Sequence, residues 1–138
     1  MNTDRSKEKK AAKLRDEWTQ TVQDLEREIS DWAKAEGWNV HASEKVVSEE
    51  SIGTYIVPDL IIETPEGERL ILEVKGRGPA NSSGRVQLSA WPTLFRVLLL
   101  HKSDNDSWII RTDSGIPLRS TWNRETFITL AKDLLSAE

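Results

Sequence analysis

VPDLIIETPEGERLILEVKG, residues 57–76, is two apolar runs separated by Pro65-Glu66-Gly67. Runs of this kind, broken by Pro and Gly, read as a β-hairpin. A three-residue loop is typically a type I turn followed by a residue of positive φ; Pro suits the first position and Gly the last. That loop sets the register. It pairs Thr64 with Glu68, Glu63 with Arg69, Ile62 with Leu70, Ile61 with Ile71 and Leu60 with Leu72. Opposite charges then meet, and apolar residues meet apolar residues, which checks the register independently.

Extending the register by one step sets Asp59 opposite Glu73, with Cβ atoms roughly 4.5–5.5 Å apart. Like charges so placed are destabilising unless compensated. Lys75 falls on the same face, diagonal to Asp59, and Tyr55, Val57, Ile61 and Ile71 share it. Charged groups in an apolar setting must be paired or bind a metal. Two close carboxylates form a hard-oxygen site suited to Mg2+ or Mn2+, and such metals activate water and polarise a phosphoryl group. Lys75 would stabilise a water-derived nucleophile or the charge of the transition state. The alternative is a solvated strand face on which Lys75 neutralises the two acids.

Working outward, Leu14, Trp18, Val22, Leu25, Ile29, Trp32 and Ala33 recur at steps of three and four. They predict one long amphipathic helix, with Gly37 where a C-terminal cap is expected. Residues 1–12 read as a flexible lead-in and residues 13–138 as a single domain. A short strand is expected over Trp38–Val47, then strands over Gly53–Thr64 and Glu68–Lys75, and a flexible loop over Gly76–Gly84. A short helix is expected over Arg85–Leu94, limited by Pro92. Phe95–Lys102 reads as a strand buried on both faces, Asp104–Asp106 as a turn and Ser107–Thr112 as a strand. The apolar side of a closing helix over Thr121–Leu135 is Phe127, Leu130, Ala131 and Leu134. The expected fold class is α/β, a central mixed sheet flanked by helices.

Composition bounds the function. The chain has 138 residues with 19 Lys and Arg, 23 Asp and Glu and no Cys, for a formal charge of −4. The absence of Cys excludes a disulfide scaffold, a thiolate metal site and a cysteine nucleophile. The longest apolar run, Val97–Leu100, is far short of a membrane span. Residues 1–13 are too polar for a signal peptide, so a cytoplasmic location is expected. The charge is uneven: +4 over 1–15, −11 over 16–68, +5 over 69–124 and −2 over 125–138. A basic stretch therefore follows the hairpin, and net acidity does not by itself exclude nucleic acid.

Pro58-Asp59, thirteen intervening residues and Glu73-Val74-Lys75-Gly76 together resemble the signature of the PD-(D/E)XK nuclease superfamily. The resemblance implies a restriction-endonuclease-like core, αβββαβ, followed here by a C-terminal helix. It implies Mg2+- or Mn2+-dependent hydrolysis of phosphodiester bonds in DNA. Asp59, Glu73 and the Val74 carbonyl would hold the metal, and Lys75 would orient or activate the attacking water. Glu26, ahead of Gly37-Trp38, resembles the first-helix acid of archaeal Holliday-junction resolvases and is expected as an auxiliary metal ligand; Glu28 lies on the helix's opposite edge. Gln87, with Trp91 four residues on, partly matches a Gln-x-x-x-Tyr pattern and would position water or a phosphate. Arg77 and Arg85 are candidates for phosphate contacts.

Two other readings accompany this one. A nuclease-like fold used for binding or assembly without catalysis suits the net acidity. A subunit of a larger repair, defence or mobile-element complex would take its basic surface from a partner. A homodimer would supply two cuts on a duplex. Trp18 and Trp32 fall on the helix's apolar stripe and read as core. Trp91, Trp108 and Trp122 are open between packing and stacking on an unpaired base. His41 and His101 lack metal-ligand spacing.

Overall fold

A computed structural model of the chain describes residues 2–78, 84–91, 96–102, 107–112, 117–118 and 121–136. In chain order these form α1 (Asn2–Ala35), β1 (Asn39–Glu49), β2 (Gly53–Glu63), β3 (Arg69–Gly76) and β4 (Arg85–Trp91). β5 (Arg96–Lys102), β6 (Ser107–Thr112), β7 (Pro117–Leu118) and α2 (Arg124–Ser136) complete the order. The strands make one seven-stranded sheet in sequence order, antiparallel throughout. It is therefore an α/β fold whose sheet is a meander, and the mixed sheet expected from the sequence is corrected.

The correction comes from residues 85–91. The helix expected over Arg85–Leu94 is strand β4 up to Trp91, and residues 92–95 lie outside the described residues. Val86, Leu88 and Ala90 are buried while Arg85 and Trp91 are exposed and Gln87 is half-buried; only the small Ser89, also buried, departs from the alternation. That is a period of two, not 3.6. With no helix among the described residues between β3 and β5, each strand turns back on the one before, and a parallel partner would need a long crossover.

Alternation places one core. Leu60, Leu72, Leu88 and Val97 form one row of Cα partners across four strands. Val74, Val86, Leu99 and Ile110 form another. All eight are buried. Both helices cover this face: Trp18, Val22, Leu25, Ile29 and Ala33 of α1, and Phe127, Ala131 and Leu134 of α2, join the same buried cluster. A fully buried Leu, Ile or Phe side chain stabilises by roughly 1.5–3 kcal/mol, so this layer holds the fold together. β5 is buried on the helix side only; Leu98 and Leu100, on the other face, are half-buried.

The helix ends follow the expected chemistry. At Gly37, φ is +83°; its N–H donates to the Lys34 carbonyl and the Trp38 N–H to the Ala33 carbonyl. This is a Schellman cap, with buried Trp38 following it. The Asn123 side chain caps α2 by accepting from the Thr126 N–H at 2.9 Å. The lead-in expected over 1–12 is helical from Asn2 onward; Lys, Glu and Ala, which dominate there, are strong helix formers. No helix among the described residues is long and apolar enough to cross a membrane.

α1 is fastened to the far end of the β1–β2 hairpin. Arg15 Nη1 donates to the Ile52 carbonyl at 2.9 Å, and Trp18 Nε1 donates to the Tyr55 hydroxyl at 3.1 Å. Tyr55 in turn donates to Glu49 Oε2. These contacts fix the rotation of α1 and aim Glu26, two turns further along, at the sheet.

Candidate active site at the fork of the sheet

The turn of the β2–β3 hairpin forms as expected. Gly67 has φ +85°, its N–H donates to the Thr64 carbonyl, and the Thr64 N–H donates to the Glu68 carbonyl. The ladder then runs Glu63–Arg69, Ile62–Leu70, Ile61–Ile71, Leu60–Leu72 and stops. Asp59 and Glu73 are not Cα partners: the pairing expected from the register ends one step short, and the strands fork. The physical reason lies at Pro58-Asp59. Val57 and Leu60 are both buried although an odd number of steps separates them, while β2 stays in unbroken register with β1, so the side of the strand that is covered changes between them.

In the fork, side chains take over from the ladder. Asp59 Oδ1 accepts from the Val74 N–H at 2.9 Å. Lys45 Nζ donates to the Val74 carbonyl at 2.6 Å and lies 2.9 Å from Asp59 Oδ1. Both backbone groups of Val74 are thus satisfied by charged side chains from two other strands. Buried backbone polar groups must be paired somewhere, and a strand that leaves its neighbour requires such substitutes.

Glu26 approaches the same point from α1. It is 5 % exposed, and neither carboxylate oxygen has a hydrogen-bond partner. Its pKa is raised from 4.5 to about 8, chiefly by burial and then by the negative charge of Asp59, with Lys45 pulling the other way. Glu26 is therefore mostly neutral near pH 7, with two buried polar atoms unsatisfied. An unsatisfied buried group costs on the order of 1–3 kcal/mol. Glu26, Asp59 and the Val74 carbonyl supply three hard oxygen donors, a donor set that fits Mg2+ or Mn2+. A divalent cation there would hold Glu26 ionised and give its oxygens a partner.

Glu73 and Lys75 form a separate group. They alternate with Val74 along β3, so they lie on the face away from the helices. Lys75 Nζ is 3.4 Å from Glu73 Oε2, and both side chains are about one-third exposed, at 38 % and 35 %. Gln87 is the Cα partner of Glu73 and joins this group from a strand rather than the expected helix. Lys75 occupies the irregular step between Val74 and Gly76, where the β3–β4 register shifts. Among the described residues no three Asp, Glu or His side chains converge as a metal-binding group. Glu26 thus feels the charges of Asp59 and Lys45, whereas Glu73, Lys75 and Gln87 stand on the other face.

The phosphate-contact candidates divide as well. The backbone N–H of Arg77 donates to Glu49 Oε2 at 3.0 Å and that of Gly78 to Glu49 Oε1 at 2.8 Å. This pair of N–H groups is an anion-binding concavity filled by the chain's own carboxylate. Arg85 is exposed at the start of β4.

Lys45 escapes sequence reasoning. Its signal was available: once β1 is folded back on β2, Lys45 becomes the partner of Val57, two residues from Asp59. The weak strand pattern of Trp38–Val47 hid that pairing. Comparison of the chain with protein-family models, with curated proteins and with solved structures found no match.

Proposed function

We propose that this chain is a divalent-metal-dependent nuclease that hydrolyses phosphodiester bonds in DNA, built on a restriction-endonuclease-like hairpin. The observation that carries the reading is Glu26: buried, with both carboxylate oxygens unpartnered, beside Asp59. Glu26, Asp59 and the Val74 carbonyl would hold Mg2+ or Mn2+. When bound, the metal supplies a polarised phosphoryl group and an activated water. Lys45 offsets the charge of Asp59 and presents an ammonium where negative charge develops. Two lysines thus compete for one role, Lys75 by its motif position and Lys45 by its contacts. A cytoplasmic location belongs to the same proposal.

The test is a panel of linear, branched and single-stranded DNAs incubated with Mg2+ and with Mn2+. The wild type cuts at least one of them only with metal, and Glu26→Gln and Asp59→Asn do not cut. Whichever of Lys45→Ala and Lys75→Ala abolishes cutting in a folded protein identifies the working lysine. Absence of cutting by the wild type, or unchanged cutting by Asp59→Asn, overturns the reading.

One observation favours a second reading, a non-catalytic nuclease-fold subunit for binding or assembly. The Lys45 ammonium already spans Asp59 and the Val74 carbonyl, two of the three donors a metal needs. On this reading the lysine replaces the cation. A Mn2+ titration followed by electron paramagnetic resonance separates the two: binding that Glu26→Gln weakens supports the nuclease, and absence of binding supports the subunit.

A further inference from the structure

Both helices lie on one face of the sheet, and among the described residues no helix covers the opposite face. That open face is unlike the chain as a whole. Among the described residues its β3–β6 part carries five basic side chains, Arg69, Lys75, Arg85, Arg96 and Arg111, against one acid, Glu73, while the whole chain has a charge of −4. The four arginines are exposed, one on each of four consecutive strands. Each also stands in a different cross-strand row. Arg69 pairs with Trp91, Arg96 with Ser89, Arg111 with Leu98 and Arg85 with Leu100. Strands are about 4.8 Å apart and rows about 6.6 Å, so the four span an area of roughly 15 by 20 Å. A basic surface of this kind is the electrostatic footprint of a polyanion site.

Its composition selects the kind of polyanion. Between the arginines lie half-buried apolar side chains, Ile71, Leu98 and Ile109 among them. Trp91, 52 % exposed, stands at one end, directly across from Arg69. A duplex offers mostly phosphates to a flat surface, and its base faces are hidden in the stack. A single strand offers phosphates together with unstacked bases, which pair with arginines, aliphatic ground and an indole.

We propose that the open face of β3–β6 is a platform for single-stranded DNA, with Arg85 and Arg111 on phosphates and Trp91 under an unpaired base. The choice of DNA rests on the nuclease reading; the choice of a single strand rests on the face itself. Glu73, Lys75 and Gln87 lie on this platform, which gives the hairpin's second group of polar residues a place in binding.

The test is fluorescence anisotropy of a labelled 20-nucleotide oligothymidylate and a labelled 20-base-pair duplex, in EDTA so that no cutting intervenes. The single strand is expected to bind at least about 10-fold tighter than the duplex, with a negative slope of log K against log salt. Arg85→Glu with Arg111→Glu should weaken it at least about 10-fold and flatten that slope, with an unchanged melting temperature. Trp91→Ala should weaken it about 5-fold or more. Equal or tighter binding of the duplex, absence of binding, or wild-type binding by the double arginine variant overturns the platform. The two proposals fail separately. A protein that binds in EDTA but never cuts in Mg2+ or Mn2+ loses only the nuclease reading. One that cuts but binds independently of Arg85 and Arg111 loses only the platform.

Discussion

At the turn end of the β2–β3 hairpin, backbone meets backbone from Glu63–Arg69 to Leu60–Leu72, and Gly67 closes the loop. At the other end the same two strands separate, and Asp59, Lys45 and Glu26 occupy the gap. The first end is held mainly by backbone hydrogen bonds and apolar pairs, with the one charged pair, Glu63–Arg69, out at the turn, so it responds weakly to pH and ions. The second is held by the Lys45–Asp59 ion pair and its bonds to Val74, beside a buried acid, Glu26, without a hydrogen-bond partner. The hairpin gives up stability at the end where chemistry is proposed, as functional sites commonly do.

The contrast between the two ends can be broken most directly through pH. The folded pKa of Glu26, about 8, exceeds its unfolded value of 4.5, so the folded state binds the extra proton. The contribution of Glu26 is fully present below pH 4.5 and is lost as the pH rises through 8. One pH unit between the folded and unfolded values corresponds to about 1.4 kcal/mol, so the loss amounts to a few kcal/mol. Urea midpoints of the wild type and Glu26→Gln, measured from about pH 5 to about pH 8.5, should diverge steadily, with only the wild type losing this increment. Parallel curves would show that Glu26 is ordinary.

Next in size is Asp59→Ala, which strips the partner from Lys45 and from the Val74 N–H. It should cost about 2–4 kcal/mol in urea unfolding. Asp59→Asn keeps an acceptor for the N–H and should cost less. A loss under about 1 kcal/mol would mean that the fork is not held by this carboxylate.

The turn end should respond weakly. Gly67 has φ +85°, and a Cβ there meets nothing within 4 Å, so Gly67→Ala carries only the backbone penalty. That is about 1–2 kcal/mol, insensitive to pH. Smallest of all is Ile56→Ser on the exposed outer side of the β1–β2 hairpin, 61 % exposed, expected within about 0.5 kcal/mol.

These contrasts track what was legible in the residues. Turn chemistry is local, so Pro65-Glu66-Gly67 and four ladder pairs followed from sequence, as did the buried stripe of α1 and its Gly37 cap. The helix expected at Arg85–Leu94 failed because a short segment with small Ser89 and Ala90 carries little periodic signal, and tertiary pairing decided the matter. Glu26 was singled out only through a resemblance in its place ahead of Gly37-Trp38, and its burial beside the charge of Asp59 depends on how α1 packs on the sheet. Lys45 was not legible, because its role depends on Val74, 29 residues away on another strand. The pairing of Asp59 with Glu73 was an extrapolation of local register past a point where the covered side of the strand changes.

The order of the strands has a kinetic consequence. Every strand pairs with its sequence neighbour, so the sheet can zip hairpin by hairpin with short loops, a low-contact-order route. α1 is the exception: Trp18 and Arg15 must find residues 37 positions away. Pulse-labelling hydrogen exchange should therefore protect β2–β3–β4 amides before the Val74 N–H, whose partner is a side chain. In that sequence the fork is completed late, when α1 docks and brings Glu26 to the strands, so a nascent chain would assemble the proposed site only after its sheet is formed.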